Sequence, residues 1–412
     1  CHYLRSHPRF EPSNPQLGTQ MPMRSRTFLA ALASAAVLSF VLSGCGASDH
    51  REDARASSLG GDSAAWRAGS EWRLVEAARI GADDADGPYA FANIIAIALD
   101  PLERVWVADG HQNEIRVFDA GGKHVRTIGR KGSGPAEFNG ITGMAWARDG
   151  NLWVQDGGNA RFAVYDTAGK LVTTRPRPST ITMTPWPGGF DAEGRLYDIG
   201  ARTAPDGSAS TVIVRSDGVQ PPSDTFALPA FEEEYFEVSR TSGANVSTSR
   251  ILIPFTGSLS WALSPTGHVW VANTSKYRIE RHAFSGGGDR VVERKVRPVP
   301  VTAKDRDGMI QHYEGFIQQG GKIDVSRIPD HQPALNRFFF DDTGNLWVNA
   351  VLGRSEPRGH DVFDPSGTYL GRVKMPVRAA IKTIQGDRVA AVATDSLDVQ
   401  SVVLLRIVKP GA

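Results

Sequence analysis

Short apolar runs bounded by turn residues recur from about residue 70 to the end of the chain. Each clear run contains a hydrophobic residue and an aromatic residue, followed by a polar turn, an alternating strand and an Asp-x-x-Gly sequence. Alternation of apolar and polar positions over four to eight residues predicts strands, and closely spaced turns predict antiparallel connections. The chain also contains 43 glycines and 25 prolines. The pattern therefore predicts an all-β protein.

Six copies of this unit can be recognised, and the shorter spacings between them are 42, 44 and 47 residues. The copies centre on Val105-Trp106-Val107, Leu152-Trp153-Val154, Leu196-Tyr197, Val269-Trp270-Val271, Leu346-Trp347-Val348 and Arg388-Val389-Ala390. A period of about 45 residues is typical of a four-stranded propeller blade. The repeats predict a six-bladed β-propeller of four-stranded antiparallel blades with a short helical insertion.

The repeat also predicts what its marker residues do. In five copies a glycine lies three positions before the central residue, while the first copy has Glu103 there. A glycine at this turn allows a left-handed backbone, and the aromatic side chain of the next strand packs between neighbouring blades. Residues 71–80 form a further candidate strand, and its pairing with residues 397–407 would close the ring.

Two longer intervals between the repeats carry insertions. The first, at residues 221–254, is acidic and aromatic, and we expect a solvated loop whose aromatic side chains cover a blade edge. The second, at residues 301–332, includes the stretch 303–319, in which Met309, Ile310, Tyr313 and Phe316 share one helical face. This spacing predicts one helix packed across a face of the ring.

The N-terminal part has the pattern of an export signal. Residues 1–20 are polar and Pro-rich, and we interpret them as sequence upstream of the native start. Residues 21–45 contain two arginines, an apolar run over residues 28–42 and small residues before Cys45. A run of this length is short for a membrane-spanning helix, which needs about 20 residues. The order predicts a signal peptide.

The last four residues of this segment, Leu42-Ser43-Gly44-Cys45, resemble the lipobox of bacterial lipoproteins. The resemblance implies cleavage before Cys45, a lipid on its sulfur as membrane anchor, and, with Gly46 next, an outer-membrane location. The alternative is an ordinary secretory signal with a chance cysteine. Residues 46–69 lack an apolar period and predict a flexible tether, which leaves residues 70–412 for the propeller.

Charge and cysteine content exclude some functions. Lys and Arg total 46 and Asp and Glu total 45; the first 45 residues hold four Arg and one Glu, which leaves 42 against 44. A net charge of about −2 favours no nucleic-acid partner. Of the two cysteines, Cys1 and Cys45, neither lies in the propeller, so a disulfide framework or a Cys-based zinc site is not expected there.

The polar turns of the first two copies begin at Asp109 and Asp156, and the segment Gly129–Phe138 lies between them. These units resemble NHL repeats, and the resemblance implies a six-bladed propeller of a broad bacterial lipoprotein family. In such a propeller the turn after the second strand and the connection between blades share one face around the channel. The residues that we expect on this face as a candidate binding site are Asp109, His111, Asn113, Arg130, Lys131, Asp156, Asn159, Asn273 and Asn349. The alternative is that they only satisfy backbone groups of the turns.

These features predict an exported, lipid-anchored binding module for a cell-envelope protein or an extracellular ligand such as a glycan. The alternative is a calcium-dependent hydrolase of the gluconolactonase type, whose inner strands would present oxygen ligands to the ion. We could align no matching ligand set in the sequence. An apolar channel mouth would favour the binding module, and inner-strand carboxylates or amides around a cation would favour the hydrolase.

Overall fold

The computed structural model describes residues 57–59, 63–81, 86–177, 186, 188–203, 205–207, 209–217, 224–242, 245–284, 288–353 and 356–410. Cys45, the predicted signal peptide and most of the predicted tether lie outside the described residues. Within the compact unit that spans residues 53–412, the strands form six blades of four antiparallel strands; one blade has a fifth, parallel strand at its edge, and two further strands form a hairpin.

The first half of the chain supplies three blades. It begins with strands β1 (Ser57–Leu59) and β2 (Arg73–Ile80) and a short 3-10 helix, Gly87–Tyr89. Blade 1 contains β3 (Ile94–Leu99), β4 (Val105–Asp109), β5 (Glu114–Phe118) and β6 (His124–Ile128). Blade 2 contains β7 (Ile141–Trp146), β8 (Leu152–Asp156), the 3-10 helix Gly157–Asn159, β9 (Arg161–Tyr165) and β10 (Leu171–Pro176). Blade 3 contains β11 (Gly189–Phe190), β12 (Leu196–Thr203), β13 (Ala209–Ser216) and β14 (Asp224–Ala227).

The second half supplies the other three blades and both insertions. A hairpin of β15 (Tyr235–Ser242) and β16 (Asn245–Leu252) precedes blade 4, which contains β17 (Leu259–Leu263), β18 (Val269–Asn273), β19 (Arg278–His282) and β20 (Gly288–Glu293). Helices α1 (Ala303–His312) and α2 (Glu314–Gln318) and the 3-10 helix Val325–Arg327 follow. Blade 5 contains β21 (Leu335–Phe340), β22 (Leu346–Ala350), β23 (Gly359–Phe363) and β24 (Tyr369–Lys374). Blade 6 contains β25 (Ala379–Gln385), β26 (Arg388–Thr394) and β27 (Gln400–Val408).

The two ends of the propeller meet in blade 6, as the sequence predicts. Strand β2 pairs antiparallel with β27, from Arg73 opposite Val408 to Ile80 opposite Val402. This pairing completes the fourth strand of the blade and leaves the ring without an open seam between its first and last blades.

The hydrophobic core lies between the blades. The marker aromatics are buried there, which confirms that they are core residues: Trp106, Trp153, Tyr197, Trp270 and Trp347. The indole of Trp106 donates to Asp100 Oδ2 at 3.0 Å. Six residues before Trp153 the chain has Ala147 instead of an aspartate, and the buried Trp153 Nε1 has no hydrogen-bond partner. The hydrogen bond between indole and aspartate is thus absent from blade 2, although Trp153 is still buried.

The turns between the first and second strands adopt the predicted backbone. The five glycines before the markers have φ between 60° and 86°. Glu103, which replaces the glycine in blade 1, also has a positive φ, of 62°. A positive φ in this turn is therefore common to all six blades. One detail of the prediction was wrong: in blade 6, Val389 packs toward blade 5 and Ala390 toward blade 1, so the residue equivalent to the aromatic marker is Ala390.

The insertions contact each other, which differs from the prediction for the first of them. Its hairpin buries Phe236 in a cluster with Phe316 and Ile328 of the second insertion, so its aromatic side chain covers that insertion and not a blade edge. The predicted single helix is divided at Tyr313 into α1 and α2. Of the four residues of the expected apolar face, Phe316 is buried and Met309, Ile310 and Tyr313 are half-buried.

The end of the predicted tether is packed on the propeller. Strand β1 pairs in parallel with β20. The backbone N–H groups of Ala65 and Trp66 donate to the carbonyl oxygens of Tyr369 and Leu370 at 3.0 and 2.9 Å. The ring of Trp66 lies 5.2 Å from that of Trp72. This part of the segment is therefore bound to blades 4 and 5, because it finds strand edges and an aromatic surface there.

Candidate functional site

The predicted site residues of blade 1 hold the turn after β4. The carboxylate of Asp109 is fully buried and accepts from the backbone N–H groups of Ala92, His111 and Gln112 at 3.0–3.2 Å. Asn113 has a φ of 57°, and its Oδ1 accepts from the N–H of Gly140, on the connection to blade 2, at 2.6 Å. Both side chains are thus committed to backbone groups.

Blade 2 repeats this arrangement. Asp156 Oδ1 accepts from the backbone of Asn139 at 2.8 Å, and its Oδ2 accepts from Asn159 Nδ2 at 2.7 Å and Arg161 Nε at 3.1 Å. Asn159 also donates to the carbonyl of Gly132 at 3.0 Å. These contacts confirm that the turn after the second strand and the connection between blades lie on one face.

The other predicted residues of blades 1 and 2 are exposed on the same face. Arg130 pairs with Glu137, with Nε 2.9 Å from Oε1, and Lys131 and His111 are also exposed. None of the three lines a cavity described below. The structure therefore brings Asp109, Asn113, Asp156 and Asn159 into structural networks and does not bring them together as a site.

On the blade 4 to blade 6 side, the same face carries three adjoining cavities, which we call the groove. The acidic cavity, of about 660 Å³, lies between the insertions and blade 4. The basic cavity, of about 460 Å³, lies at the junction of blades 4 and 5. The blade 5–6 cavity has a volume of about 540 Å³. The acidic and basic cavities share Ser275, His331, Gln332 and Pro333, and the basic and blade 5–6 cavities share Val351.

Two of the predicted residues line the groove. Asn273 is exposed in the wall of the acidic cavity, where its Oδ1 accepts from the backbone of Ser275 at 3.0 Å. Asn349 lines the blade 5–6 cavity. Sequence reasoning missed the remainder of the groove. A signal was available for its centre, the basic run Arg294-Lys295-Val296-Arg297 between two strands.

In the blade 5–6 cavity, three neighbouring strands present a polar row. Asn336 Nδ2 donates to Asn349 Oδ1 at 2.7 Å, and Asn349 Nδ2 lies 3.5 Å from His360 Nε2. Because an amide nitrogen only donates, Nε2 accepts and the imidazole proton lies on Nδ1, which is buried without a partner. Burial, with Arg337 and Arg372 nearby, lowers the pKa of His360 to about 4. The imidazole is therefore neutral at pH 7.

The wall between the basic cavity and the blade 5–6 cavity contains a buried ionic cluster around Asp361, which is 1% exposed. Its carboxylate accepts from Arg294 Nη1 at 2.6 Å, Arg372 Nη1 at 2.8 Å and the hydroxyl of Tyr277 at 2.9 Å. Burial and the Asp361 charge raise the pKa of Tyr277 well above its usual value, so the hydroxyl keeps its proton. Two guanidinium groups thus face one carboxylate.

The linings of the basic and acidic cavities carry different charge. The lining of the basic cavity contains five cationic side chains and one carboxylate: Lys276, Arg278, Arg294, Lys295, Arg297 and Glu293. The lining of the acidic cavity contains three carboxylates and neither Lys nor Arg: Glu232, Glu234 and Asp330. The lining residues thus differ in sign between the two cavities, with Asp330 paired to Arg306 at 3.0 Å and Glu234 lying 3.9 Å from Arg327.

The opposite mouth of the central channel is lined by apolar side chains together with polar ones, among them Asp191, Asp341 and Asp342. A cavity of about 470 Å³ opens there, and the first strands of all six blades line it. Its large apolar side chains include Leu99, Met144, Trp146, Phe190, Leu263 and Phe340. The part of the chain that the structure describes contains no group of three or more His, Cys, Asp or Glu side chains that could hold a metal ion.

Comparison with known proteins agrees with the architecture. A family model for a 6-bladed beta-propeller, DUF5128, matches residues 92–183. The match covers blades 1 and 2, where the repeats are clearest. No curated protein matches the sequence.

Several solved structures resemble the chain at low identity. A putative exported protein from Bacteroides fragilis is 13% identical, with a TM-score of 0.48 over 85% of this chain and 99% of its own. A virginiamycin B lyase from Staphylococcus aureus is 11% identical, with a TM-score of 0.41 over 82% and 100%. A gluconolactonase from Xanthomonas campestris is 13% identical, with a TM-score of 0.40 over 81% and 99%. Their differing functions do not transfer through the fold.

Among the described residues, the chain has no helix that is both long and apolar enough to span a membrane.

Proposed function

We propose that this protein is an exported, lipid-anchored binding module, and that it holds a cell-envelope protein or an extracellular ligand in the groove of blades 4 to 6. The observation that supports the proposal is the groove itself, in which three adjoining cavities run along one face and combine charged, polar and apolar side chains. Such concave surfaces are the usual binding sites of rigid scaffolds.

The anchor is part of this proposal. The lipobox-like sequence ending at Cys45 would place the lipid on the envelope side of an exported chain, at the outer membrane. The NHL-like repeats would then supply a rigid disc with one face available to a partner.

A variant that blocks the groove tests the proposal. Gln332 lines both the acidic and the basic cavity, so Gln332→Trp fills the passage between them. Asp149→Trp places the same side chain in an exposed turn between the first and second strands of blade 2, on the opposite face. We expect full-length protein in detergent to retain an envelope component on beads, Asp149→Trp to retain it equally, and Gln332→Trp to lose it. Equal retention by both variants would contradict the proposal.

A further inference from the structure

Cationic side chains outnumber carboxylates in the lining of the basic cavity. Arg278 pairs with Glu280 and Glu293 at 2.8 and 2.9 Å. The side chains of Lys276 and Arg297 are exposed at the rim. With one carboxylate in the lining against five cations, an anionic group of a ligand would find complementary charge here.

The Asp361 cluster beneath the cavity leaves this charge balance unchanged, because Arg294 is already counted in the lining and the charges of Arg372 and Asp361 cancel. Asp361 accepts from two arginines and from Tyr277, and the hydroxyl of Tyr369 lies 3.5 Å from its Oδ1. One carboxylate therefore faces two guanidinium groups, which leaves over only the charge of Arg294 that is already counted. The Nε atoms of Arg294 and Arg372 are both buried without a hydrogen-bond partner. Both donors are closed off from the cavity, so the cations that a ligand meets are those exposed at the rim, such as Lys276 and Arg297.

The neighbouring acidic cavity narrows the class of ligand. It adjoins the basic cavity through four shared residues, and Glu232 and Glu234 are exposed in its lining. A uniform polyanion that extended from the basic cavity would meet these carboxylates and be repelled. A polypeptide can carry acidic and basic residues a few positions apart. Valines and prolines in the same wall, such as Val296, Pro298 and Pro333, provide apolar contact for its aliphatic side chains.

We infer that the groove recognises an extended peptide segment, with acidic side chains in the basic cavity and basic side chains in the acidic cavity. The inference rests on the proposed function and specifies its ligand. It distinguishes this ligand from an acidic glycan, which presents only one sign of charge.

The test uses the full-length protein in detergent and three fluorescent probes in low-salt buffer. The first is a block peptide of four glutamates followed by four lysines, the second is octaglutamate, and the third is an oligogalacturonate of eight sugars. We expect the block peptide to bind about tenfold more tightly than either polyanion, and its affinity to fall as salt is added. Equal or tighter binding of octaglutamate or oligogalacturonate would overturn the inference, as would no binding of the block peptide.

Charge reversal locates the binding. The double variant Lys276→Glu and Arg297→Glu changes only exposed side chains, and we expect it to weaken the block peptide at least about tenfold. The matched control, Lys123→Glu and Lys170→Glu, makes the same change in net charge at exposed turns on the opposite face and should leave affinity unchanged. Equal affinity of the two double variants would overturn the inference. If the inference is overturned in this way but Gln332→Trp still loses the envelope component, the proposed function stands and only the peptide ligand is wrong.

Discussion

Two junctions between blades are built from equivalent strands but differ in how they are filled. The junction of blades 2 and 3 is closed by bonded side chains, and the junction of blades 5 and 6 contains a cavity. In blade 2, the hydroxyl of Thr142 donates to Gln155, and Gln155 Nε2 donates to Asp198 of blade 3 at 3.1 Å. Arg177 closes the junction with two bonds to Asp198, at 2.7 and 2.8 Å. All four side chains are buried. In blade 5, the corresponding pair of Asn336 and Asn349 lines a cavity of about 540 Å³.

Two substitutions within the repeat explain the difference. Arg177 follows β10, and its N–H donates to the carbonyl of Ala160 at 2.8 Å; Met375 follows β24 and makes the same backbone bond, to Arg358, at 2.9 Å. Asp198 faces the preceding blade, and the blade 6 residue at that position is Ala391. The ion pair that seals one junction is thus missing from the other. Asp198 departs from the repeat, which has valine at this position in blades 1, 2, 4 and 5, so the seal is particular to the blade 2–3 junction.

Removing the seal should have the largest effect. In Asp198→Ala, the Arg177 guanidinium stays buried without its carboxylate, so we expect the free energy of unfolding to fall by about 3–5 kcal/mol. Urea unfolding followed by circular dichroism measures this change. The control Arg130→Ala, which removes an exposed pair with Glu137, should cost less than about 1 kcal/mol. A similar small loss in both variants would show that the blade 2–3 junction is not held by the pair.

The open junction should reveal itself in the pH dependence of stability. His360 is 2% exposed, and folding lowers its pKa from 6.5 to about 4. The unfolded chain takes up a proton near pH 6.5 while the folded protein stays neutral until about pH 4. The stability that depends on the neutral His360 is therefore complete above pH 6.5. It is lost as the pH falls from 6.5 to about 4, by about 3 kcal/mol at most.

Urea unfolding of wild type and His360→Asn from pH 7.5 to 4 isolates this contribution. The variant lacks the imidazole, so its stability should fall less steeply over the same range. Parallel curves for the two proteins would show that His360 is not held neutral by its surroundings.

Removing the equivalent amide side chains of Gln155 and Asn349 should have smaller and unequal effects on the free energy of unfolding. Gln155→Ala removes one buried hydrogen bond from Thr142 and one from Asp198, and we expect a loss of about 1–3 kcal/mol. Asn349→Ala leaves groups that line a cavity, where water can replace the amide, so we expect a loss below about 1 kcal/mol. The two midpoints in urea give the comparison, and a larger loss for Asn349→Ala would reverse it.

The fold was predictable because it repeats. Six turns and five aromatic markers at blade-length spacing are local signals, and ring closure follows from a spare strand at one end. The sixth marker was placed one residue too early because blade 6 lacks both an aromatic residue and the longer turn: Gln385 pairs directly with Arg388. The contact between the insertions joins residues about 80 positions apart, such as Phe236 and Phe316, and no local pattern encodes it.

The site was predictable only in part, because polar residues in turns can either bond backbone groups or contact a ligand. Asp109 and Asp156 carry the strongest repeat signal, and the structure uses both for backbone bonds. The groove depends instead on positions that look unremarkable singly, such as Met375 and Ala391. Asn349 was placed on the correct face, but it corresponds to Gln155 in the repeat and not to Asp156.

The most direct test compares, in living cells, the groove of blades 4 to 6 with the turns of blades 1 and 2 on the same face of the propeller. A photo-crosslinking amino acid replaces Gln332 in the groove in one full-length variant and His111 in the exposed turn of blade 1 in another. After illumination, we expect a discrete crosslinked envelope partner from position 332 and none from position 111. A partner captured from position 111, with none from position 332, would contradict the assignment of binding to the groove of blades 4 to 6.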